Sequence, residues 1–262
     1  MYFYELVKEI NSSRLDHFTD SLPYSFDKLN RAKLENAFDL EVFDLVMKSY
    51  RVTIIYRSDR RKGDTKSEYR KYGNETLKPF SNEELSIFNS LDWTRLPHNM
   101  KAHIYDVIWL CNRNYEAAKI ASEEYFESYR DWFDVENWVQ CVDYISRAIE
   151  LAAKIGIDGK REDLLKEVYD DVVRLNGDDS SFLTISLIEL MITQNYQCDF
   201  CSLIPYVDRL INRNEGSFSN SYILEHAYYL KANLYKKLKD VISENNVYVQ
   251  YADVLMKEGE NL

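Results

Sequence analysis

Residues 110–126, LCNRNYEAAKIASEEYF, carry the strongest local signal in the chain. A polar elbow, R-N-Y-E (residues 113–116), separates two stretches whose apolar residues recur at the three- and four-residue steps of a helix. A short polar turn between two such stretches predicts a pair of helices folded back on each other. The elbow therefore indicates architecture rather than chemistry.

The composition of the whole chain agrees with this interpretation. Its 262 residues include only 7 glycines and 4 prolines, too few to punctuate many short strands, whereas 21 tyrosines and 12 phenylalanines supply large packing groups. Apolar spacing predicts helices near 98–112, 115–129, 134–155, 159–175, 180–195, 201–214, 219–238 and 240–257. The predicted fold is all-α, an irregular stack of helical hairpins.

The elbow resembles the middle of a tetratricopeptide-type repeat, in which an aromatic and then a small residue begin the second helix of a hairpin. The resemblance implies that Tyr115 packs back across the turn and that Ala118 lets the two helices approach closely. Residues 233–255 echo the pattern weakly, with Asn245 in the place of the small residue and Ala252 following it. Because the units do not recur at a fixed period, we expect an irregular tetratricopeptide-like α-α superhelix.

Two regions of different character are predicted. Residues 1–80 combine N-terminal helices, including one at 29–48, with a long basic loop at 51–80 whose only strand-like part is RVTIIY. Residues 81–262 form the helical-hairpin array. Its first helix begins at Ser81, which with Glu84 three residues later fits a capping box.

A wider stretch, LPHNMKAHIYDVIWLCNRNYEAAKIASEEYFES, resembles the N-terminal half of a bacterial protein family of unknown function. The similarity is carried by a D-x-x-W-L helix and an R-x-Y-x-x-A elbow, and it extends over roughly 40–160. The matching residues are Asp106, Trp109, Leu110, Arg113, Tyr115 and Ala118. Longer members of that family carry a HEPN-like helical second half, which this chain lacks. The resemblance implies a short member, a truncated product or a fragment, and a HEPN-like or related helical domain as a partner.

The charge is unevenly distributed. The chain has a net charge of −11, but residues 51–78 hold nine Lys/Arg against four Asp/Glu, so that window is +5 and the remainder −16. Cations interleaved with aromatics suit phosphate contact and base stacking. The candidate phosphate-contacting residues are Arg57, Arg60, Arg61, Lys62, Arg70 and Lys71. The alternative is a loop that pairs with acidic helices of the same chain.

An aromatic group near the second elbow is the candidate surface for a protein partner. It comprises Tyr129, Trp132, Phe133 and Trp138. Aromatic residues dominate the energetics of protein interfaces, but at helical spacing they also commonly form core. Nearby paired acids, such as Asp170–Asp171, are expected on solvated helix faces.

No motif points to catalysis or to a cofactor. Phosphate-binding, dinucleotide, metalloprotease and nucleophile-elbow patterns are missing, and Cys198 and Cys201 form one C-x-x-C, short of the four ligands of a tetrahedral zinc site. Sparse cysteines, the lack of a leader and the lack of a long apolar run favour a cytoplasmic protein without a membrane span. We expect a non-enzymatic interaction scaffold; the alternatives are a nucleic-acid-associated component and an enzyme with an unrecognised carboxylate site.

Overall fold

The computed structural model describes residues 4–5, 41–42, 45, 48, 78–133, 138–156, 159–175, 181–215 and 221–260. Within these ranges every regular element is a helix, which confirms the all-α prediction. The α-helices are α1 (Asn82–Asn89), α2 (His98–Asn112), α3 (Tyr115–Phe133), α4 (Trp138–Ile155), α5 (Lys160–Leu175), α6 (Ser181–Thr193), α7 (Ile204–Asn214), α8 (Ser221–Lys237) and α9 (Val241–Glu260). Two 3₁₀ turns, Trp93–Arg95 and Phe200–Leu203, precede α2 and α7. None of the described helices is long and apolar enough to cross a membrane.

The chain divides into two compact units, Met1–Ser128 and Tyr129–Leu262, with the division inside α3. The predicted boundary between residues 80 and 81 stays a prediction. The basic loop residues up to 77, including the RVTIIY segment and all six candidate phosphate-contacting residues, lie outside the described residues. Of the predicted helix at 29–48, the described positions 41, 42, 45 and 48 are helical, and Val42 and Leu45 are buried.

The first unit contains the capping box and the elbow. The Ser81 hydroxyl accepts a hydrogen bond from the Glu84 amide at 3.2 Å, and the Ser81 amide donates to Glu84 Oε2 at 2.8 Å, so the box starts α1 as predicted. Phe80 then stands edge-on to Phe88 of α1, with ring centroids 5.4 Å apart. The asparagine at the end of α2, Asn112, exchanges two hydrogen bonds with the Phe80 backbone.

The elbow ends α2 with a left-handed residue that is not glycine. Arg113 has φ 54° and its amide donates to the Trp109 carbonyl at 2.9 Å. The Asn114 side chain accepts from the Ala117 amide at 3.1 Å and so starts α3. The Tyr115 ring lies 5.1 Å from that of Trp109, and Ala118 is fully buried. The two helices therefore contact each other across the turn through an aromatic pair.

In the second unit, α4 packs on α5, α5 on α6, α7 on α8 and α8 on α9, and two helices also contact the second helix after them. Besides the consecutive pairs, α4 contacts α6 and α6 contacts α8. Helix α6, FLTISLIELM in its apolar part, buries residues around most of its circumference and leaves one side, with Glu189 and Thr193, exposed, which suits a helix with neighbours on several sides. α8 packs against α6, α7 and α9, and the main packing partner of α9 is α8.

Left-handed residues end several of these helices. Gly156 has φ 65° and follows α4. Asn195 after α6 (φ 51°) and Lys239 after α8 (φ 58°) take the same conformation without being glycine. The sequence thus marks only some of the helix ends through glycine.

Candidate functional site

The aromatic group predicted as a partner surface lies at the end of α3. Tyr129 and Phe133 are buried, and their rings meet edge to face with centroids 5.5 Å apart. Trp132 is half-buried, while Trp138 begins α4 and its side chain lies outside the described residues. A partner-binding role for the group stays a prediction. Tyr129 and Phe133 themselves pack in the interior.

Asp171 of α5 anchors this end of α3. Its Oδ2 accepts a hydrogen bond from the Tyr129 hydroxyl at 2.6 Å, and Arg130 Nη1 donates to both carboxylate oxygens at 3.0 and 2.8 Å. Arg174 Nη2 lies 3.0 Å from Oδ1. The carboxylate is 5% exposed, so the expectation that the paired acids lie on solvated faces is wrong for Asp171.

The charges around Asp171 fix the protonation states of its partners. Burial, and then the nearby Asp171 carboxylate, raise the pKa of Tyr129 well above its usual range. Burial works to lower the pKa of Arg130, but its hydrogen bonds to Asp171, together with the charge attraction of Asp171 and its other neighbours, outweigh burial and raise the pKa. The network thus holds a neutral tyrosine donor and charged arginines around one buried carboxylate. That arrangement joins α3 to α5.

An exposed apolar face on α9 is the most unusual surface feature of the described residues. Val241, Ile242, Tyr248, Val249, Leu255 and Met256 are between 48% and 76% exposed. At about 100° per residue they occupy one arc of the helix, together with Asn245 and Ala252. We call these eight residues the α9 face.

The opposite side of α9 holds the helix on its neighbour. Val247 is 2% exposed, and the Tyr251 ring lies 5.1 Å from that of Tyr228 in α8. Helix α9 therefore carries apolar residues on two sides, of which one is covered by α8 and the other faces solvent. Contiguous exposed apolar surface of this kind is uncommon on monomeric proteins, which makes the α9 face a candidate interaction site. The sequence predicted the helix at 240–257 but not the face, because exposed and buried apolar residues have the same periodicity.

The cysteines of the C-x-x-C lie at a short helical turn. Cys201 is exposed and Cys198 half-buried at the 3₁₀ turn, where the Asp199 carboxylate accepts from the Cys201 amide at 3.0 Å. Burial raises the pKa of the Cys198 thiol, which disfavours the thiolate that metals bind. No group of three potential ligands is found among the described residues. All four cysteines are free thiols.

A cluster of charged and aromatic side chains lies in the first unit, and the sequence did not identify it as a site. Glu124 of α3 lies 2.6 Å from His98 Nδ1 and 3.6 Å from Lys101 Nζ, so one carboxylate is shared by two side chains of α2. Trp93 stacks on Tyr105 with centroids 4.6 Å apart. Burial and the Glu124 charge raise the pKa of Tyr105. The carboxylate is already engaged by the helix it packs against, and the cluster serves the α2–α3 pairing.

Residues 67–164 match the model of a family described as "Domain of unknown function (DUF7380)". The match covers less than half of the chain and includes α1 to α4 with the start of α5. It supports a similarity to a family of unknown function in this part of the chain. No curated protein and no solved structure matches the chain significantly.

Proposed function

We propose that this protein is a non-enzymatic helical scaffold that binds another protein through the α9 face. The observation that supports the proposal is the exposure of six large apolar side chains on one side of a single helix. Solvent contact with so much contiguous apolar surface is unfavourable, and a partner that covers it recovers the hydrophobic free energy.

The size of the face sets the strength of the complex. Complete burial of a large aliphatic side chain contributes about 1.5–3 kcal/mol, and these six are each roughly half exposed or more, so covering them contributes roughly 5–10 kcal/mol. Association itself costs about 4–15 kcal/mol. The α9 face alone therefore supports a reversible complex, and a tighter one requires further contacts.

The proposal includes a tetratricopeptide-like superhelix as the scaffold. Support comes from the close-packed elbow at Arg113–Ala118 and from contacts that skip one helix in the second unit, as stacked hairpins make. A HEPN-like or related helical domain is the partner that the family resemblance implies. The sparse, unpaired cysteines support a reducing cytoplasm as the place of action.

A pull-down from a bacterial lysate tests the proposal. The bait is the full chain, with Val249→Glu as the variant and Gln250→Glu as its matched control, because the control adds the same charge one residue along but off the α9 face. Partners are identified by mass spectrometry after nuclease treatment. We expect a protein that survives nuclease, is retained by Gln250→Glu and is depleted at least about tenfold by Val249→Glu. Equal recovery with both variants would refute the proposal.

A second candidate function is nucleic-acid binding through residues 51–78. The observation in its favour is the +5 charge of that window in a chain of net charge −11. Neutralising Arg60, Arg61 and Lys62 together should abolish binding to single-stranded RNA or DNA, and affinity for the wild type should fall steeply with salt. Affinity that is independent of salt would exclude this function.

A further inference from the structure

We propose that α6 and α8 carry a second binding site, which takes arginine side chains of a cationic peptide. The site consists of four rings and two carboxylates: Phe182, Tyr222, His226, Tyr229, Glu189 and Glu225. We call these six residues the α6–α8 face. No residue of α9 belongs to it, so the inference goes beyond the proposed function and does not depend on it.

Helices α6 and α8 run side by side in the same direction. Near their starts, the ring centroids of Phe182 and Tyr222 lie 5.9 Å apart. Just past the end of α6, Asn195 Oδ1 accepts a hydrogen bond at 2.7 Å from Nζ of Lys237, the last residue of α8. Both contacts join residues about 40 positions apart, so Glu189 lies at the level of the residues around 229. Because the half-buried Phe182 contacts the exposed Tyr222, the outer sides of the two helices form one surface.

Three aromatic side chains of α8 lie on its outer side. Tyr222, His226 and Tyr229 recur at steps of four and three residues, which places them on one arc of the helix. Tyr222 and Tyr229 are 58% and 56% exposed, although α8 packs against α6, α7 and α9. The His226 ring is half-buried and lies 4.3 Å from that of Tyr222. More than half of each tyrosine side chain is therefore left for a ligand.

Two carboxylates set the charge of the α6–α8 face. Glu225 lies on the same side of α8, three residues after Tyr222 and four before Tyr229. Glu189 lies across from Tyr229 on α6. Both glutamates are exposed, and neither is in an ion pair within the part of the chain that the structure describes. The first Lys or Arg on this arc of α8 after Tyr229 is Lys236, about two turns further on. The face is therefore aromatic and negatively charged, and its electrostatic complement is a cation.

An arginine side chain matches both parts of this surface. Its planar guanidinium stacks on an aromatic ring and donates two hydrogen bonds to one carboxylate, whereas a lysine ammonium is a point charge. The chain contains the same arrangement elsewhere: Arg130 binds the Asp171 carboxylate and lies 5.3 Å from the centroid of the Tyr129 ring. Phosphate groups would be repelled by the two glutamates of the face, which disfavours nucleic acid as the ligand.

The distance between the two exposed tyrosines predicts the spacing of the arginines. Tyr229 follows Tyr222 by seven residues, which is about 10 Å along a helix at 1.5 Å per residue. A polyproline-II segment rises about 3.1 Å per residue and has three residues per turn, so its residues i and i+3 lie about 9 Å apart on one side. A peptide with two arginines separated by two residues therefore sets one guanidinium at each tyrosine.

Fluorescence anisotropy of a labelled peptide, titrated with the full chain, tests the ligand. The peptide carries two arginines in R-x-x-R spacing among serines and prolines. Matched peptides carry lysine, or citrulline, which keeps the shape of arginine without its charge. We expect the arginine peptide to bind at least about tenfold more tightly than the citrulline peptide and at least about threefold more tightly than the lysine peptide. Equal affinity for the arginine peptide and either of the others, or no binding at about 0.5 mM protein, would overturn the proposal.

A tyrosine variant tests the aromatic half of the site. Tyr222→Leu combined with Tyr229→Leu keeps the apolar bulk but removes both rings, and should weaken binding of the arginine peptide at least about tenfold. Both side chains are more than half exposed, so circular dichroism should show unchanged helix content. Unchanged affinity in this variant would overturn the proposal. So would a single-stranded oligonucleotide that binds the wild type and is lost by the variant.

A glutamate variant tests the acidic half. Glu189→Gln combined with Glu225→Gln should also weaken binding of the arginine peptide about tenfold. The matched control is Glu116→Gln combined with Glu123→Gln, which changes the net charge by the same amount at exposed positions of α3 and should leave Kd within about twofold of the wild type. An equal loss of affinity in the two variants would show attraction to the net charge of the chain and would overturn the site.

Discussion

Replacement of Asp171 by alanine should destabilise the second unit strongly. The substitution removes the acceptor of a 2.6 Å hydrogen bond from Tyr129 and the main carboxylate partner of Arg130. The Tyr129 hydroxyl then remains in the interior without an acceptor, at a cost of about 1–3 kcal/mol. The Arg130 side chain is 29% exposed and keeps its ion pair with Glu167. Loss of the Arg130–Asp171 ion pair therefore adds only about 1 kcal/mol. We expect a total of about 2–4 kcal/mol.

Two companion variants make the expectation specific. Tyr129→Phe removes the donor but leaves Asp171 with its arginine partners, and should cost about 1–1.5 kcal/mol. The double variant should be less destabilised than the sum of the single ones by about 1–2 kcal/mol, because removal of the hydroxyl relieves the unpaired donor that Asp171→Ala creates. Asp170→Ala is the matched control: Asp170 is exposed and lies 3.5 Å from Lys166, so its loss should cost less than about 0.5 kcal/mol.

Urea unfolding followed by far-ultraviolet circular dichroism and by tryptophan fluorescence measures these differences. With a slope of about 2–3 kcal/mol per molar urea, a loss of 3 kcal/mol, roughly the middle of the expected range, moves the midpoint by about 1–1.5 M. Equal midpoints for Asp171→Ala and Asp170→Ala, or strict additivity of Asp171→Ala and Tyr129→Phe, would refute the account of the buried network.

Two further predictions concern the first unit and the thiols. Burial opposes ionisation of Glu84, but hydrogen bonds from Lys48 and Ser81 outweigh it and lower its pKa below the ordinary value of 4.5. The carboxylate therefore stabilises the fold above the unfolded-state pKa and loses that effect as pH falls through the folded one. Glu84→Gln should lower stability by about 0.5–1 kcal/mol at neutral pH and by nothing near pH 2, as measured by thermal unfolding. Maleimide should label Cys201 first, because it is exposed, and Cys111 slowly, because burial raises its pKa to about 11; mass spectrometry of the labelled peptides gives the order.

Helix positions in this chain follow closely from local sequence. The prediction of a helix at 98–112 agrees with α2, and the predicted helices from 159 to 257 differ from α5 to α9 by a few residues at their ends. The capping box at Ser81 and the elbow could be predicted from the sequence, because backbone hydrogen bonding and side-chain size act within a few residues. Arg113 and Lys239 take a left-handed backbone conformation although neither is glycine. At such positions the sequence predicted the turn but not its backbone conformation.

Exposure was the property that local sequence did not determine. Tyr129 and Val249 lie on helices with similar apolar spacing, yet Tyr129 is fully buried and Val249 is 60% exposed. The difference depends on which other helices lie alongside, and those contacts come from residues distant in the chain. For the same reason, Asp171 and Asp170, adjacent and chemically identical, differ completely in their surroundings.

The unequal packing of α8 and α9 has a consequence for local opening. Helix α8 is held by α6, α7 and α9, whereas α9 relies mainly on α8. Separation of α9 breaks few contacts, so its amide hydrogens should exchange with solvent deuterium well before those of α6 and α8. Any ligand that covers the outer side of α9 would slow amide exchange throughout the helix, including at amides that the ligand does not contact. Deuterium uptake by this single helix would therefore report occupancy of the whole α9 face.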